Sequence, residues 1–112
     1  MVYFQFTIIM RWDVSDHSDN RVVNYTGWRY FSKVRTFQEQ PGVYVFANTK
    51  LCVRYIGKAR YGRMTFEILS AIDRGRDLGA LLVKVLYTAT DEGAVSLESA
   101  LIEKYRPPNN NI

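Results

Sequence analysis

Pro41-Gly42-Val43-Tyr44-Val45-Phe46, a break at Ala47-Asn48-Thr49-Lys50, then Leu51-Cys52-Val53-Arg54-Tyr55-Ile56-Gly57-Lys58-Ala59: this stretch decides the fold. Both apolar runs are short and rich in β-branched and aromatic residues, the composition of strands. The polar break between them is a turn by composition, so residues 42–46 and 51–56 are predicted to pair as a hairpin, with Gly57 ending the second strand. Alternation places Tyr44 and Phe46 on one face and Val43 and Val45 on the other. The hairpin brings Tyr44 near Tyr55 and leaves both hydroxyls available for chemistry.

Working outward, residues 61–74 carry an apolar stripe at Met64, Ile68, Leu69 and Ile72, which predicts a helix with Gly75 as its stop. Residues 81–87 read as a third strand, apolar on both faces except at Lys84. Thr90-Asp91-Glu92 opens a last helix, with acid at its positive end; it runs to Tyr105 and is stopped by Pro107-Pro108. The order β-β-α-β-α is an α+β layout: a small three-stranded sheet, antiparallel or mixed, flanked by helices. Ahead of it, residues 2–12 read as a strand, 13–20 as a polar loop and 21–37 as one or two short aromatic elements. The expected organisation is one compact domain, with a β-rich N-terminal extension (1–40) packing on or beside a core (41–112).

A hydrophobic fraction of 47% and 14% aromatic content describe a folded globule rather than a disordered chain. No apolar run is long enough to span a bilayer, and residues 2–10 lack a basic leader and a cleavage site, so a cytoplasmic protein is expected. Cys52 has no cysteine to pair with and reads as a small core residue; with His17 alone it cannot build a zinc site. His17, among Asp13, Asp16 and Asp19, reads as part of a solvated loop and lacks the spacing of a calcium-binding one. Net charge is +4, weak evidence by itself for a nucleic-acid partner. Placement says more. Arg54, Lys58, Arg60 and Arg63 surround the Tyr-Ile-Gly run without an intervening acid, which reads either as a solvated face or as a phosphate-facing surface.

Glu98 falls on the apolar stripe of the last helix, which is formed by Ala94 or Val95, Leu101, Ile102 and Tyr105. A carboxylate there is partly withdrawn from water, which is costly unless it is paired with a cationic side chain or holds a metal. Glu103 lies on another face, as a solvated acid would. Tyr44 and Tyr55 admit a plain packing role as strand residues. As chemical groups, they would need a cation nearby, such as the Lys58 ammonium, for a phenol to act as a base at neutral pH.

Gly42-Val43-Tyr44 and Tyr55-Ile56-Gly57-Lys58-Ala59, with Glu98-Ser99-Ala100-Leu101-Ile102 and Tyr105-Arg106-Pro107-Pro108-Asn109-Asn110 further on, resemble the GIY-YIG nuclease family over roughly residues 41–110. The likeness is nearest to the nuclease domain of the bacterial nucleotide-excision incision subunit. The resemblance implies a metal-dependent endonuclease acting on DNA, with RNA also open as a substrate. In this reading Glu98 holds one Mg²⁺ or Mn²⁺, Tyr44 activates the attacking water, and Tyr55 hydrogen-bonds the scissile phosphate or that water. Counting from Arg106 favours Asn110 as the family asparagine, with Asn109 and Asn111 open as alternatives. The family arginine falls at Thr65, so the phosphate clamp is assigned to Arg63, two residues early, with Arg60 as the alternative; the family's His or Tyr one turn later falls on Glu67 if shifted or Leu69 if not, neither of which replaces it, whereas Tyr61 would. A non-catalytic nucleic-acid-binding module on the same fold is the competing reading. The aromatic extension would pack on the sheet or form a homodimer contact, with residues 2–12 as the pairing edge.

Overall fold

The computed structural model describes residues 9–111. Most of the strand expected over residues 2–12 therefore lies outside the described residues.

The hairpin forms as read, and it is the centre of the sheet. Strand β3 (Gly42–Ala47) is buried along its whole length because it has a neighbour on each side and a covered layer above and below. It pairs with β4 (Val53–Ala59) on one side and β5 (Leu82–Thr88) on the other, both antiparallel. Among the described residues the sheet has five strands, the three expected of the core and two from the extension, in the order β1-β5-β3-β4 with β2 also on β5. Strands β1 (Val22–Tyr25) and β2 (Arg29–Tyr30) both pair antiparallel with the outer edge of β5. Neither has a buried residue, so they are held by backbone pairing and leave no hydrophobic alternation in the sequence.

Helix α1 (Met64–Asp73) and a 3₁₀ segment (Phe31–Thr36) cover one face of the sheet. Their core joins Tyr44, Phe46 and Tyr55 to Met64, Ile68, Val34 and Phe37. Helix α2 (Asp91–Tyr105) covers the other face, where Leu97, Leu101 and Tyr105 meet Val43, Val45, Ile56 and Trp12. Each large apolar side chain fully buried in these layers contributes about 1.5–3 kcal/mol. Helix α2 is capped by Thr90, whose hydroxyl accepts from Gly93 N at 3.0 Å, and it ends at Arg106 in a left-handed conformation before the prolines. Its buried stripe takes Ala94 and adds Leu97; Val95 is 48% exposed.

Helix α1 begins three residues later than the periodicity suggests, after a turn in which Gly62 has φ +81°. Arg63, at the cap position, offers no acceptor; Glu39 supplies one instead, its carboxylate accepting from the amide and the hydroxyl of Thr65. The helix stops at Gly75, which has φ +77°, as expected.

The described residues ahead of the core hydrogen-bond to the hairpin. Met10 O accepts from Val53 N at 2.8 Å, and Trp12 N donates to Leu51 O at 2.7 Å. The expected loop at 13–20 contains a 3₁₀ turn (Val14–Ser18) tied to α2: Lys104 reaches Asp13 at 3.0 Å and Asp16 at 2.9 Å, and the Tyr105 hydroxyl donates to Asp16. His17 is an internal bridge rather than a solvated residue. It stacks on Tyr25 at 4.0 Å, accepts from Trp12 Nε1 at 3.2 Å and lies 2.5 Å from Lys84 Nζ. Lys84, 3% exposed, has its ammonium over the rings of Trp12, Trp28 and Tyr25. Burial still pushes its pKa down to about 8. Cys52 is half-buried at the turn rather than a core residue. No helix among the described residues is long and apolar enough to cross a membrane.

Candidate active site

The antiparallel register sets Phe46 opposite Tyr55 and Tyr44 opposite Gly57. Tyr44 and Tyr55 thus project to the same face, their ring centroids 6.1 Å apart. Strand β4 does not end at Gly57 as expected but runs on to Ala59. Gly57 is needed inside the strand because the Tyr44 ring lies across its Cα, where a β-carbon would overlap the ring.

A cavity of about 460 Å³ opens over this pair. Tyr44, Tyr55, Gly57 and Lys58 come from the hairpin, Arg60 and Arg63 from the turn after it, Glu67 and Arg74 from α1 and its end, and Glu98 from α2. The turn at Gly62 brings Arg63 to the cavity wall, while Thr65 is occupied with Glu39. Arg63 lies over the Phe66 ring at 3.9 Å and reaches the Glu67 carboxylate at 3.4 Å. Arg74 was not expected here: it follows the last turn of α1, seven residues beyond Glu67 and so on the same helix face, a placement visible only once the helix start is known.

Glu98 is partly withdrawn from water, with its side chain 16% exposed, and its carboxylate meets Lys58 Nζ at 3.1 Å. Glu103 is exposed on another face. Among the described residues no three His, Cys, Asp or Glu side chains converge. A single carboxylate on an open, polar cavity suits a hard cation that keeps most of its water shell, as Mg²⁺ and Mn²⁺ do.

Tyr44 is 1% exposed, and its hydroxyl donates to the carbonyl of Glu67 at 3.3 Å. Burial, reinforced by Tyr55 and Glu67, holds its pKa far above the ordinary phenol value, with Arg74 pulling the other way. The expected role of Tyr44 in activating water thus falls on a hydroxyl that donates to the Glu67 carbonyl here.

Two expected site residues lie elsewhere. Asn110 uses its whole amide on the backbone of Ile56, accepting from N at 3.0 Å and donating to O at 2.8 Å. It closes the outer edge of β4 between Tyr55 and Gly57 and does not line the cavity. Arg54 is turned to the loop after α1, donating to Leu78 O at 3.1 Å and to Asn109 at 3.4 Å. It forms no part of the basic wall made by Lys58, Arg60 and Arg63. Asn109, buried, ties that loop down by donating to Arg76 O and Leu78 O.

A tyrosine pair on a central hairpin, a basic turn and one helix-borne carboxylate on an antiparallel α+β sheet define the class of a small nuclease domain. No family model matches the chain. Solved structures do. The GIY-YIG N-terminal endonuclease domain of UvrC from Thermotoga maritima, bound to magnesium as its catalytic divalent cation, is 30% identical, with a TM-score of 0.59 over 70% of this chain and 91% of that one. A point mutant of that domain, also bound to its catalytic cation, matches at 30% identity and the same TM-score, covering 70% of this chain and 90% of that one. UvrABC system protein C of Desulforapulum autotrophicum is 36% identical over 81 residues, covering 66% of this chain and 13% of the relative. That of Bacteroides thetaiotaomicron is 33% identical over 85 residues, covering 69% of this chain and 14% of the relative. This chain belongs to the GIY-YIG endonuclease family. It spans only about an eighth of the length of the curated relatives it matches.

Proposed function

We propose that this chain is a divalent-metal-dependent endonuclease that hydrolyses phosphodiester bonds of DNA by in-line attack of water at one metal site. The observation that carries this reading is the convergence of Glu98, four basic side chains and the tyrosine pair on one cavity. Glu98 would hold Mg²⁺ or Mn²⁺, which when bound supplies Lewis-acid stabilisation of the charge leaving with the sugar oxygen. A cation on Glu98 would share the carboxylate with Lys58, whose ammonium lines the same cavity and is placed to meet the phosphate. Arg63, with Arg60 beside it, pairs with phosphate oxygens and stabilises the charge that grows on them in the transition state. Tyr55 would hydrogen-bond the scissile phosphate or the attacking water, and Tyr44, whose hydroxyl donates to the Glu67 carbonyl, keeps an oxygen lone pair to accept from that water. Asn110 acts at one remove, fixing the peptide that carries both Tyr55 and Gly57 in register.

One observation favours the competing binding-module reading: Lys58 already neutralises Glu98, the pairing expected of an ordinary helix-edge carboxylate. Nicking of supercoiled plasmid in Mg²⁺ or Mn²⁺ separates the two readings. The enzyme reading requires cleavage that is lost on chelation and in Glu98→Ala; a binding module shifts the plasmid on a gel without cutting it. Each site would cut one strand per encounter, so double-strand breaks call for two sites, as in a homodimer through the extension. Light scattering tests that arrangement, and a strict monomer making one-step double-strand breaks would defeat it.

A further inference from the structure

We infer that Arg74 is a substrate-binding residue of this cavity: its guanidinium holds a phosphate that flanks the scissile one, so the cut strand is laid along α1 from Arg63 to Arg74. The inference deepens the nuclease reading above and rests on it, because it assigns the strand's path through the same site.

Charge on the cavity wall is unevenly matched. Lys58 is paired with Glu98, and Arg63 with Glu67. Those are the two carboxylates that line the cavity. Arg60 and Arg74, the other two basic side chains on the wall, have no acidic partner among the described residues. Uncompensated cations on one concave wall raise its affinity for anions. The surplus suits a partner that brings more than one charge, as successive phosphates of a strand do.

Arg74 stands at a fixed point. It is the C-cap of α1, and its backbone N–H donates to Ser70 O at 3.0 Å. Its side-chain Nε donates to the same carbonyl at 3.3 Å. That contact uses one of a guanidinium's five donors and leaves the terminal nitrogens, whose N–H groups pair with phosphate oxygens. The charge is felt inside the cavity: it opposes the burial that raises the pKa of the Tyr44 phenol.

Arg63 and Arg74 are the two caps of α1 and both line the cavity. A helix rising 1.5 Å per residue sets their backbones about 16 Å apart. Phosphates of one strand advance about 3.4 Å per nucleotide along a duplex, so two guanidiniums at that spacing meet different phosphates even after both side chains lean toward the cavity. Glu67 lies between them on the helix and is turned toward Arg63, which leaves the Arg74 end free to take an anion. With Arg63 and Arg60 at the scissile phosphate, Arg74 falls to a neighbour.

A basic residue at a helix C-terminus also offsets the helix dipole. That role alone predicts a change in stability and none in DNA affinity. The test is therefore single-turnover cleavage of a short end-labelled duplex by the whole chain in Mg²⁺, over a range of protein and salt concentrations, with urea midpoints for the same variants. Arg74→Gln keeps a donor for Ser70 O and loses the charge. It is expected to raise the half-saturating concentration about five- to tenfold at about 0.1 M salt and to lower the slope of log affinity against log salt by about 0.9. The rate at saturation and the urea midpoint should stay near wild type, as for a contact made equally before and during reaction. Arg74→Lys should recover most of the affinity. Duplexes carrying a single uncharged methylphosphonate at successive positions beside the principal cut identify the phosphate. At one of them wild type should lose the same affinity, and Arg74→Gln should lose no more.

Equal half-saturation in wild type and Arg74→Gln would overturn the proposal, as would an unchanged salt slope. So would penalties of the variant and of every flanking methylphosphonate that simply add. A lowered urea midpoint with native affinity would leave Arg74 with the helix end alone. Failure of the nuclease reading shows separately. If wild type binds the duplex without cutting it, that reading fails, and fluorescence anisotropy on the same duplexes decides Arg74 by the same outcomes. If wild type cuts and Arg74→Gln matches it throughout, only the Arg74 assignment fails.

Discussion

The ring of Tyr44 lies across the Cα of Gly57 on the neighbouring strand, in the space where any other residue would place its β-carbon. The two halves of the sequence signature are thus one packing unit: the glycine of the second half is small because the tyrosine of the first half covers it. Gly57→Ala must push the ring out of a closed core layer, and overpacking of this kind costs about 1–3 kcal/mol. Urea unfolding should show that loss, and cleavage should fall at least as far as in Tyr44→Phe. An alanine variant with wild-type stability and rate would mean that the ring moves freely.

Lys58 pairs with the carboxylate of Glu98, the group proposed to hold the cation. Lys58→Met is therefore expected to tighten Mn²⁺ binding several-fold in calorimetric titration while slowing cleavage, because the ammonium no longer serves the phosphate. Unchanged or weaker Mn²⁺ binding would show that the ion pair does not control access to the carboxylate.

Arg63 and Arg60 share the turn before α1, but only Arg63 is anchored, over Phe66 and beside Glu67. Arg63→Ala should cost roughly 3 kcal/mol of transition-state stabilisation, the scale of one lost preorganised donor, and Arg60→Ala less. Single-turnover rates rank the two, and the reverse order moves the clamp to Arg60.

Asn110 makes two hydrogen bonds to Ile56, each worth about 0.5–1.5 kcal/mol. Asn110→Ala should lower stability by about that sum and speed hydrogen exchange at the Ile56 amide. A large rate defect with native stability and native protection at Ile56 would instead place the asparagine in direct contact with substrate.

Lys84 gives the protein a pH signature. Its folded pKa, pushed down to about 8 from the ordinary lysine value of 10.5, means that the unfolded chain binds more protons between those values. Stability should therefore rise as pH goes from about 8 toward 10, by at most about 1.4 kcal/mol per unit, before the tyrosines of the unfolded chain begin to ionise. Urea midpoints at pH 7.5, 8.5 and 9.5 test this, and Lys84→Met should flatten the trend. A midpoint that falls over this range in the wild type would contradict the assignment.

The parts legible in the sequence were those with a strong period. The hairpin, both helices and β5 follow from alternation or from apolar stripes, and Glu98 stood out because a carboxylate on such a stripe demands a partner. Strands β1 and β2 were hidden because their side chains stay exposed and their pairing is carried by the backbone. The length of β4 was hidden for the opposite reason: Gly57 reads as a strand end until the ring that covers it is known. Arg74 and Glu67 reach the cavity through the phase of α1, and a helix start displaced by three residues changes which side chains point inward. His17 looked solvated because its partners, Trp12, Tyr25 and Lys84, meet only once the chain has folded. Asn110 was found by counting, but its work on Ile56 needed the edge of β4 to be seen.

The most direct test is single-turnover cleavage of a plasmid substrate in Mg²⁺ by wild type, Glu98→Gln and Glu103→Gln at matched DNA occupancy. The central claim is that Glu98 alone on α2 holds the catalytic cation. It requires Glu98→Gln to lose cleavage and Mn²⁺ binding together while still folding and binding DNA, with Glu103→Gln indistinguishable from wild type. Cleavage by Glu98→Gln at the wild-type rate, or equal losses in the two variants, would contradict it.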